Sequence, residues 1–222
     1  MDEERDCCFD DWVGGWTKKA SKRPTAAKVS VSLLRALEGL GIRGRTILDI
    51  GCGIGDLTSA ALQRGAERGY GIELSPKAVR EARRLAAQRG VADRVTFEIG
   101  DGAKAVLPRA DVVVLNRVFC CYADIDGLLE RSVAAADEVY AFTAPPSSGV
   151  GGAVAKAETV SANTWYRLRD RKFQGFRVFV HDLDRVDARL RHAGFRRIHD
   201  ERARFVWQLR VYARGDRVPA AA

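Results

Sequence analysis

Thr46-Ile47-Leu48-Asp49-Ile50-Gly51-Cys52-Gly53-Ile54-Gly55 is a short apolar run followed by three alternating glycines. The run predicts a buried β-strand, and the glycines predict a tight turn, because glycine adopts backbone conformations that other residues avoid. A helix is expected to follow, with its free N–H groups facing the turn. Strand, turn and helix together are typical of an open parallel sheet, in which ligands bind beyond the carboxyl ends of the strands.

The rest of the chain alternates short Val- and Ile-rich runs with longer helical patterns. This alternation predicts an α/β, Rossmann-like, doubly wound seven-stranded sheet with a terminal antiparallel hairpin and helical lid elements. Residues 1–24 are expected to form an N-terminal lid segment, 25–222 the main domain, and 144–181 an insertion that covers the substrate. The predicted strands are 46–50, 69–73, 95–99, 111–115, 139–143, 195–199 and 204–212, and the predicted helices are 24–39, 56–64, 76–88, a short one after residue 101, 124–136 and 183–192.

Composition and charge limit the class of protein. The 222 residues are 46% hydrophobic and 30% charged, which indicates a globular chain with a core. From residue 161 onward the chain has 15 basic and 7 acidic residues. This excess of positive charge suits binding of nucleic acid or of an anionic small molecule. The acidic N-terminus has no apolar leader, and no apolar run is long enough to cross a bilayer. We therefore expect a cytoplasmic protein with no membrane partner.

Acidic residues lie at or just after the carboxyl ends of three of the predicted strands. Asp49 stands two residues before Gly51, where a carboxylate repels a pyrophosphate but attracts a ligand carrying an ammonium and a sulfonium. This position makes a nicotinamide dehydrogenase a distant alternative. Glu73 ends the second strand, where a carboxylate can accept hydrogen bonds from both ribose hydroxyls. Asp101 follows the third strand between two glycines and is placed to bind an adenine amino group.

The motifs LDIGCGIG, GIELSP and EIGDGA resemble those of the class I S-adenosylmethionine-dependent methyltransferases over about residues 25–143. The final hairpin also matches the seven-stranded sheet of that family. The resemblance implies S-adenosyl-L-methionine as cofactor and S-adenosyl-L-homocysteine as product. It further implies that the loop with Gly51, Cys52, Gly53 and Gly55, which Asp49 precedes, lies along the methionine and ribose. Glu73 would bind the ribose, and Leu74 would pack against the adenine. Asp101 and Gly102 would bind the adenine edge, and Asn116 would contact the methionine end through its backbone.

The segment after the fourth predicted strand, residues 116–122, reads Asn-Arg-Val-Phe-Cys-Cys-Tyr. Methyltransferases of base amino groups usually carry Asn/Asp-Pro-Pro-aromatic there, so this segment argues against the exocyclic amines of adenine and cytosine. A narrower resemblance is to the magnesium-protoporphyrin O-methyltransferases and their bacterial relatives, some of which share this segment, an early Asp-Cys-Cys and a late Val-Trp-Gln. The porphyrin enzymes carry a histidine where Cys121 stands here, so the acceptor is left open.

Methyl transfer to an acceptor is an in-line displacement at an activated sulfonium, in which a general base contributes roughly 10²–10⁴-fold. His181 is the first candidate base, because it precedes a helix that starts on the ligand side of the sheet; the alternative is a histidine bonded to backbone. Tyr122 is a candidate for orienting the acceptor or for aromatic packing. Cys121, as a reactive thiol, completes the catalytic candidates.

Four of the five cysteines form two adjacent pairs, Cys7-Cys8 and Cys120-Cys121. An N-terminal lid brings both pairs to one edge of the sheet. The alternatives are a metal site, a redox-sensitive pair and simple apolar packing. Adjacent cysteines are poor ligands of a single tetrahedral ion, so no metal is predicted.

The leading hypothesis is a methyltransferase of a small, aromatic or anionic organic acceptor. Aromatic residues interleaved with arginine between residues 165 and 179 suit a substrate cover, an RNA-stacking surface or plain packing. One alternative is a methyltransferase of structured RNA that uses the basic C-terminal third. Another is a protein that binds the cofactor without catalysis. The oligomeric state is not predicted.

Overall fold

The computed structural model describes residues 7–21, 28–169, 175–202 and 206–215. Within these ranges it forms a layer of helices on each side of a sheet. The helices are α1 (Asp10–Ser21), α2 (Lys28–Gly39), α3 (Asp56–Gln63), α4 (Pro76–Gln88), α5 (Ile125–Ala135), α6 (Gly149–Leu168) and α7 (Leu183–His192). The strands are β1 (Thr46–Ile50), β2 (Arg68–Glu73), β3 (Val95–Ile99), β4 (Ala110–Asn116), β5 (Ala136–Ala144), β6 (Phe195–Arg202) and β7 (Gln208–Arg214).

The seven strands form one sheet in the order β3-β2-β1-β4-β5-β7-β6. Strands β1 to β5 are parallel, and β7 is antiparallel to both β5 and β6. The predicted Rossmann-like sheet with a terminal hairpin is therefore confirmed. Chain order reverses between β1 and β4, so a crevice forms at their carboxyl ends, where ligands bind in such sheets. Asp49, Glu73 and Asn116 all lie at these ends.

Each face of the sheet buries its own apolar cluster. Helices α2, α3 and α4 cover one face, where Leu33, Leu57 and Val79 pack against β1 and β4 residues. Helices α5 and α7 cover the other face in the same way, for example through Leu128 and Leu190. Parallel strands with helices on both faces are buried throughout, which accounts for their continuous apolar runs.

One aromatic ring fills the space beneath the glycine turn. Phe97 of β3 is 2% exposed. A Cβ added at Gly55 would lie 2.5 Å from the Phe97 Cζ atom, and one added at Gly71 would lie 2.4 Å from the Phe97 Cδ1 atom. Both distances are far below van der Waals contact, so this ring requires glycine at both positions.

The structure corrects several predicted elements. The short helix expected after Asp101 is absent from the described chain: residues 102–105 form one turn, in which the N–H groups of Lys104 and Ala105 donate to the Asp101 carbonyl. Strand β5 begins at Ala136 rather than at residue 139, because Ala136 pairs with Ala110 of β4. Strand β6 continues to Arg202, since that residue pairs with the first residue of β7.

Other expectations fall partly outside the described residues. Strand β7 starts at Gln208, and the start expected at residue 204 lies outside the described ranges, as does the helix start expected at Pro24. The proposed boundary between residues 24 and 25 lies there too, so the division into a lid and a main domain stays a prediction. The insertion expected over residues 144–181 contains the 20-residue helix α6. Among the described helices, none has the length and apolar character that a membrane span requires.

Candidate functional site

A cavity of about 410 Å³ opens at the carboxyl ends of β1, β2 and β4. The glycine turn after β1 forms its floor, and the segment after β4 forms one wall. Aromatic side chains from α1, α6 and residue 176 face it from the other side. This volume lies within the range of small-molecule sites.

The floor depends on three glycines with positive φ angles, 68° at Gly51, 55° at Gly53 and 68° at Gly55. A Cβ at Gly51 would lie 2.6 Å from a methyl group of Val118, so this glycine allows the segment after β4 to pack on the loop. A Cβ at Gly53 would meet only the Trp16 ring, at 3.8 Å. The loop backbone therefore stays open toward the cavity at Gly53, where a ligand can approach closely.

Asp49 contributes a buried carboxylate to the cavity. It is 1% exposed, and its Oδ2 accepts a 2.7 Å hydrogen bond from the Thr58 hydroxyl. Its Oδ1 is buried and has no hydrogen-bond partner among the described residues. Burial raises the pKa of Asp49 from 3.8 to about 7, the Thr58 hydrogen bond lowers it, and the charges of Asp56 and Glu73 raise it further. A buried carboxylate with one unsatisfied oxygen favours a cationic ligand.

Glu73 lies one strand away with both oxygens directed at backbone. Its Oε2 accepts from the Gly53 N–H at 2.9 Å, and its Oε1 accepts from the Ser75 N–H at 3.0 Å. Burial raises the pKa of Glu73, and these backbone hydrogen bonds lower it in part. Each oxygen retains a lone pair for a further donor, such as a ribose hydroxyl. Leu74 lines the cavity beside it.

The residues predicted for the adenine are only partly exposed to the cavity. Gly100 and Gly102 line it, whereas Asp101 does not. The Asp101 carboxylate instead accepts hydrogen bonds from the Tyr122 hydroxyl and, at 3.0 Å, from the Ala103 N–H. Burial acts to raise the pKa of Asp101, but these hydrogen bonds and the Lys104 ammonium bring it below its usual value. Direct recognition of adenine by Asp101 stays a prediction.

A hydrogen-bonded chain holds the end of β4. Asn116 donates to the Ser30 hydroxyl at 2.8 Å and accepts from the Thr143 hydroxyl at 2.8 Å. Ser30 and Thr143 are both fully buried. The next residue, Arg117, has a φ of 62°, a conformation that residues other than glycine seldom adopt. Its N–H donates to the Thr143 hydroxyl at 2.9 Å, which stabilises this backbone conformation.

Aromatic side chains from three segments cover the cavity. Phe176 is buried and meets Phe9 edge-on at 5.5 Å between ring centroids, Tyr166 edge-on at 5.0 Å, and Trp12 at 5.9 Å. Phe9, Trp12, Tyr166 and Phe176, together called the aromatic cover, all line the cavity. Because these contacts join α1 to α6, the cover is a single packed unit.

Comparisons with known proteins agree with this architecture. Residues 48–137 match the family model described as a methyltransferase domain. Residues 48–137 therefore carry the pattern of a methyltransferase domain. The ribosomal protein L11 methyltransferase of Mannheimia succiniciproducens is 42% identical over 83 residues, which is 37% of this chain and 28% of that protein. The chain thus spans little more than a quarter of the length of that relative.

Solved structures share this fold over most of the chain. Magnesium protoporphyrin IX methyltransferase from Synechocystis PCC 6803, solved with bound S-adenosylhomocysteine, has a TM-score of 0.66 and 20% identity, covering 84% of this chain and 82% of that one. An O-methyltransferase family 2 protein from Planctomyces limnophilus, in complex with apigenin, has a TM-score of 0.67 and 20% identity, covering 93% and 62%. At this identity the likeness concerns the fold alone.

The cavity brings most of the predicted cofactor residues together. The predicted cofactor residues that line the cavity are Asp49, Gly51, Cys52, Gly53, Glu73, Leu74, Gly102 and Asn116. Gly55 does not line the cavity and packs closely against the Phe97 ring on the other side of the turn. Of the catalytic candidates, Tyr122 and Cys121 line the cavity and His181 does not.

His181 makes a hydrogen bond to the backbone of the segment after β4. Its Nε2 donates a 2.8 Å hydrogen bond to the Tyr122 carbonyl, and its ring stacks on Phe179 at 5.7 Å between centroids. This geometry corresponds to the alternative reading of His181, a histidine bonded to backbone. The hydrogen bond joins the segment before α7 to the segment after β4. The role of His181 as a base stays a prediction.

Cys120 and Cys121 face the same end of the cavity as Tyr122. Their sulfurs are 3.4 Å apart, and both thiols reach the Arg117 carbonyl, at 3.1 Å and 3.4 Å. The thiol of Cys121 lowers the pKa of Cys120, burial opposes this, and the Arg117 guanidinium adds to the lowering. In the described ranges, no group of three or more His, Cys, Asp or Glu side chains is arranged to hold a metal ion.

Sequence reasoning missed three contributors to this site. Thr58 holds one oxygen of Asp49, but it is nine residues away on a helix, and nothing local marks it. The backbone conformation of Arg117 was not foreseen, because glycine is the usual signal for it. Trp207 lines the cavity, although it was noted only as part of a motif.

Proposed function

We propose that this chain transfers the methyl group of S-adenosylmethionine to a small organic acceptor. The observation that carries the proposal is the unsatisfied, fully buried oxygen of Asp49 beside the glycine loop. The ammonium group of S-adenosylmethionine satisfies that oxygen, whereas a dinucleotide pyrophosphate meets repulsion from the same carboxylate. Glu73 offers acceptors for the ribose hydroxyls one strand away.

The cavity walls support a small acceptor rather than a macromolecule. The aromatic cover lines the same cavity as Cys121 and Tyr122, so an acceptor in this cavity meets several rings. Two solved neighbours named above concern magnesium protoporphyrin IX and apigenin, which agrees with a small planar acceptor. Relatives of this chain are named ribosomal protein L11 methyltransferases, so a protein acceptor is the alternative. A screen of acceptors must therefore include proteins.

The chemistry divides between the cofactor and the chain. S-adenosylmethionine, when bound, supplies a methyl group on an already activated sulfonium. The chain orients the acceptor and excludes water through the aromatic cover. Burial and the hydrogen bond to Asp101 raise the pKa of Tyr122 well above its usual value, so its hydroxyl stays protonated at neutral pH. We therefore assign Tyr122 an orienting role and not that of a base.

Calorimetric titration tests the cofactor assignment. S-adenosylmethionine and S-adenosylhomocysteine should bind the wild-type chain, and NADH should not. Asp49→Asn should weaken the binding of S-adenosylmethionine by about tenfold or more, because it removes the charge that pairs with the ammonium group. Asp93→Asn, at an exposed position outside the cavity lining, is the matched control and should bind like the wild type. Absence of binding to the wild-type chain would show that the proposed function is wrong.

The alternative of an RNA acceptor rests on the basic C-terminal third of the sequence. It makes a different prediction, since RNA affinity falls steeply as salt rises. A gel-shift titration with a structured RNA at two salt concentrations separates the hypotheses. Salt-sensitive binding with methylation of the RNA would favour that alternative over a small acceptor.

A further inference from the structure

The charges around the cavity are unevenly divided. Among the described residues that line it, Asp49, Asp56 and Glu73 are carboxylates, and Arg117 is the one cation. The carboxylates lie on the side of the glycine turn and β2, whereas Arg117 follows β4. An anionic group entering this cavity is therefore repelled at one end and attracted at the other.

The backbone at Arg117 is held in a fixed, unfavourable conformation. Its φ of 62° is the left-handed region, which a residue with a Cβ adopts only when surrounding contacts stabilise it. Those contacts are present on both sides of the residue. Its N–H donates to the Thr143 hydroxyl at 2.9 Å, and its carbonyl accepts from Cys120 and Cys121. Strain of this kind clusters at functional sites.

Arg117 is exposed, and it is one of the residues that line the cavity. Across the described ranges its guanidinium makes no hydrogen bond or ion pair, in contrast to Arg45, Arg64 and Arg185, which pair with carboxylates. Its backbone contacts therefore fix the position of the residue and leave the planar donor fork for a ligand. A guanidinium in this state suits two-point binding of a carboxylate.

Aromatic rings stand at the same end of the cavity as Arg117. The Phe179 N–H donates to the Cys120 carbonyl at 2.8 Å, which ties the segment carrying Phe176 to the segment carrying Arg117. The Asn163 side chain donates to the Val178 carbonyl at 2.8 Å and accepts from the Val178 N–H at 2.9 Å, which attaches α6 to that segment. A cation beside a wall of rings matches a planar ligand with an acidic group at its edge.

We propose that Arg117 binds the anionic group of the methyl acceptor, and that the acceptor belongs to the aromatic carboxylates. This rests on the proposed function, because it concerns the acceptor end of the same cavity. The aromatic cover holds the ring, and Arg117 holds the carboxylate at the edge of that ring. Arg117 could instead bind the carboxylate of the cofactor's methionine part, and the experiment below distinguishes these two ligands.

The test uses the full chain saturated with S-adenosylhomocysteine and three pairs of probes. Each pair compares an aromatic carboxylate with its neutral amide. The carboxylates are 4-hydroxybenzoate, 3,4-dihydroxybenzoate and 1-hydroxy-2-naphthoate, and the amides are the corresponding benzamides and naphthamide. Calorimetry and quenching of tryptophan fluorescence report binding, since Trp12 and Trp16 line the cavity. At least one carboxylate should bind tenfold or more tightly than its amide. If no pair shows this preference in the wild type, the proposal is wrong.

Variants then assign the preference to one residue. Arg117→Gln should reduce the carboxylate-to-amide ratio to about one, and Arg117→Lys should retain part of it, because lysine keeps the charge but not the planar fork. Arg131→Gln removes the same charge from an exposed position of α5 outside the cavity lining and should keep the full ratio. A ratio that persists in Arg117→Gln would contradict the proposal.

Binding of S-adenosylhomocysteine to the same variants separates the two sources of carboxylate. Arg117→Gln should bind S-adenosylhomocysteine within threefold of the wild type. A tenfold loss there would assign Arg117 to the cofactor carboxylate and overturn the acceptor assignment. Failure of the wild-type chain to bind S-adenosylhomocysteine would instead contradict the proposed function, so the two failures are distinguishable.

Discussion

Asp49→Asn is expected to stabilise the ligand-free protein at neutral pH even as it weakens cofactor binding. The wild-type side chain is fully buried, and one of its oxygens has no partner among the described residues. An uncharged amide of the same shape removes a buried charge and can still accept the Thr58 hydrogen bond. The substitution therefore separates the demands of folding from those of ligand binding.

The pKa of Asp49 sets the size of this effect and its pH window. The pKa rises from 3.8 to about 7 on folding, chiefly through burial. Between these two values the folded state holds a proton that the unfolded state has lost, so the contribution of Asp49 to stability falls as pH rises and is lost above pH 7. At about 1.4 kcal/mol for each pKa unit, the total approaches about 4 kcal/mol, as an upper bound.

Urea denaturation of both proteins at pH 5, 6, 7 and 8 measures this difference. Other titrating groups affect both proteins alike, so the difference in unfolding free energy isolates Asp49. That difference should shift in favour of Asp49→Asn by about 2–3 kcal/mol between pH 5 and pH 7 and change little beyond. A difference that stays constant with pH would refute the reasoning, because it would mean that the carboxylate is solvated or paired.

The other predictions concern single substitutions. Glu73→Gln should weaken the binding of S-adenosylhomocysteine by about tenfold in calorimetry and lower the melting temperature, because an amide has one oxygen to accept the Gly53 and Ser75 N–H bonds where the carboxylate has two; equal affinity would remove Glu73 from the site. Gly71→Ala should destabilise the fold by about 1–3 kcal/mol in urea through contact with Phe97, whereas Gly14→Ala, in open space on α1, should stabilise it by about 0.5–1 kcal/mol. His181→Ala should spare S-adenosylhomocysteine affinity and lower methyl transfer by less than tenfold, since its ring donates to backbone; a loss of 10²-fold or more would restore it as the base.

The elements that were predicted well are those whose signals are local. The run at β1, the proline that opens α4 and the apolar run of β3 each carry their own pattern, and the bounds of all three agree with the structure. The placement of the two predicted cofactor acids also follows from position, because residues at the carboxyl ends of neighbouring parallel strands must lie at one edge. That Asp49 and Glu73 line one cavity is therefore predictable from sequence alone.

The features that escaped prediction depend on distant contacts. Ala136 belongs to β5 because it pairs with Ala110, although the local pattern continues α5. The hydrogen bond from Tyr122 to the Asp101 carboxylate, which joins residues 21 apart in sequence, was not predicted. Arg117 adopts a glycine-like conformation because of Thr143 on the neighbouring strand. No local signal reports any of these contacts, since each requires the assembled sheet.

The space beneath the glycine turn has a consequence for how this chain can vary. The Phe97 ring occupies the volume that side chains at positions 55 and 71 would need. Positions 71 and 97 therefore compete for one volume, whereas position 55 is restricted in addition by its positive φ angle. Among homologous sequences we expect positions 71 and 97 to covary, with a smaller residue at 97 wherever 71 is not glycine. A library that randomises position 71 beside Phe97 should recover fewer folded variants than one that randomises both positions together.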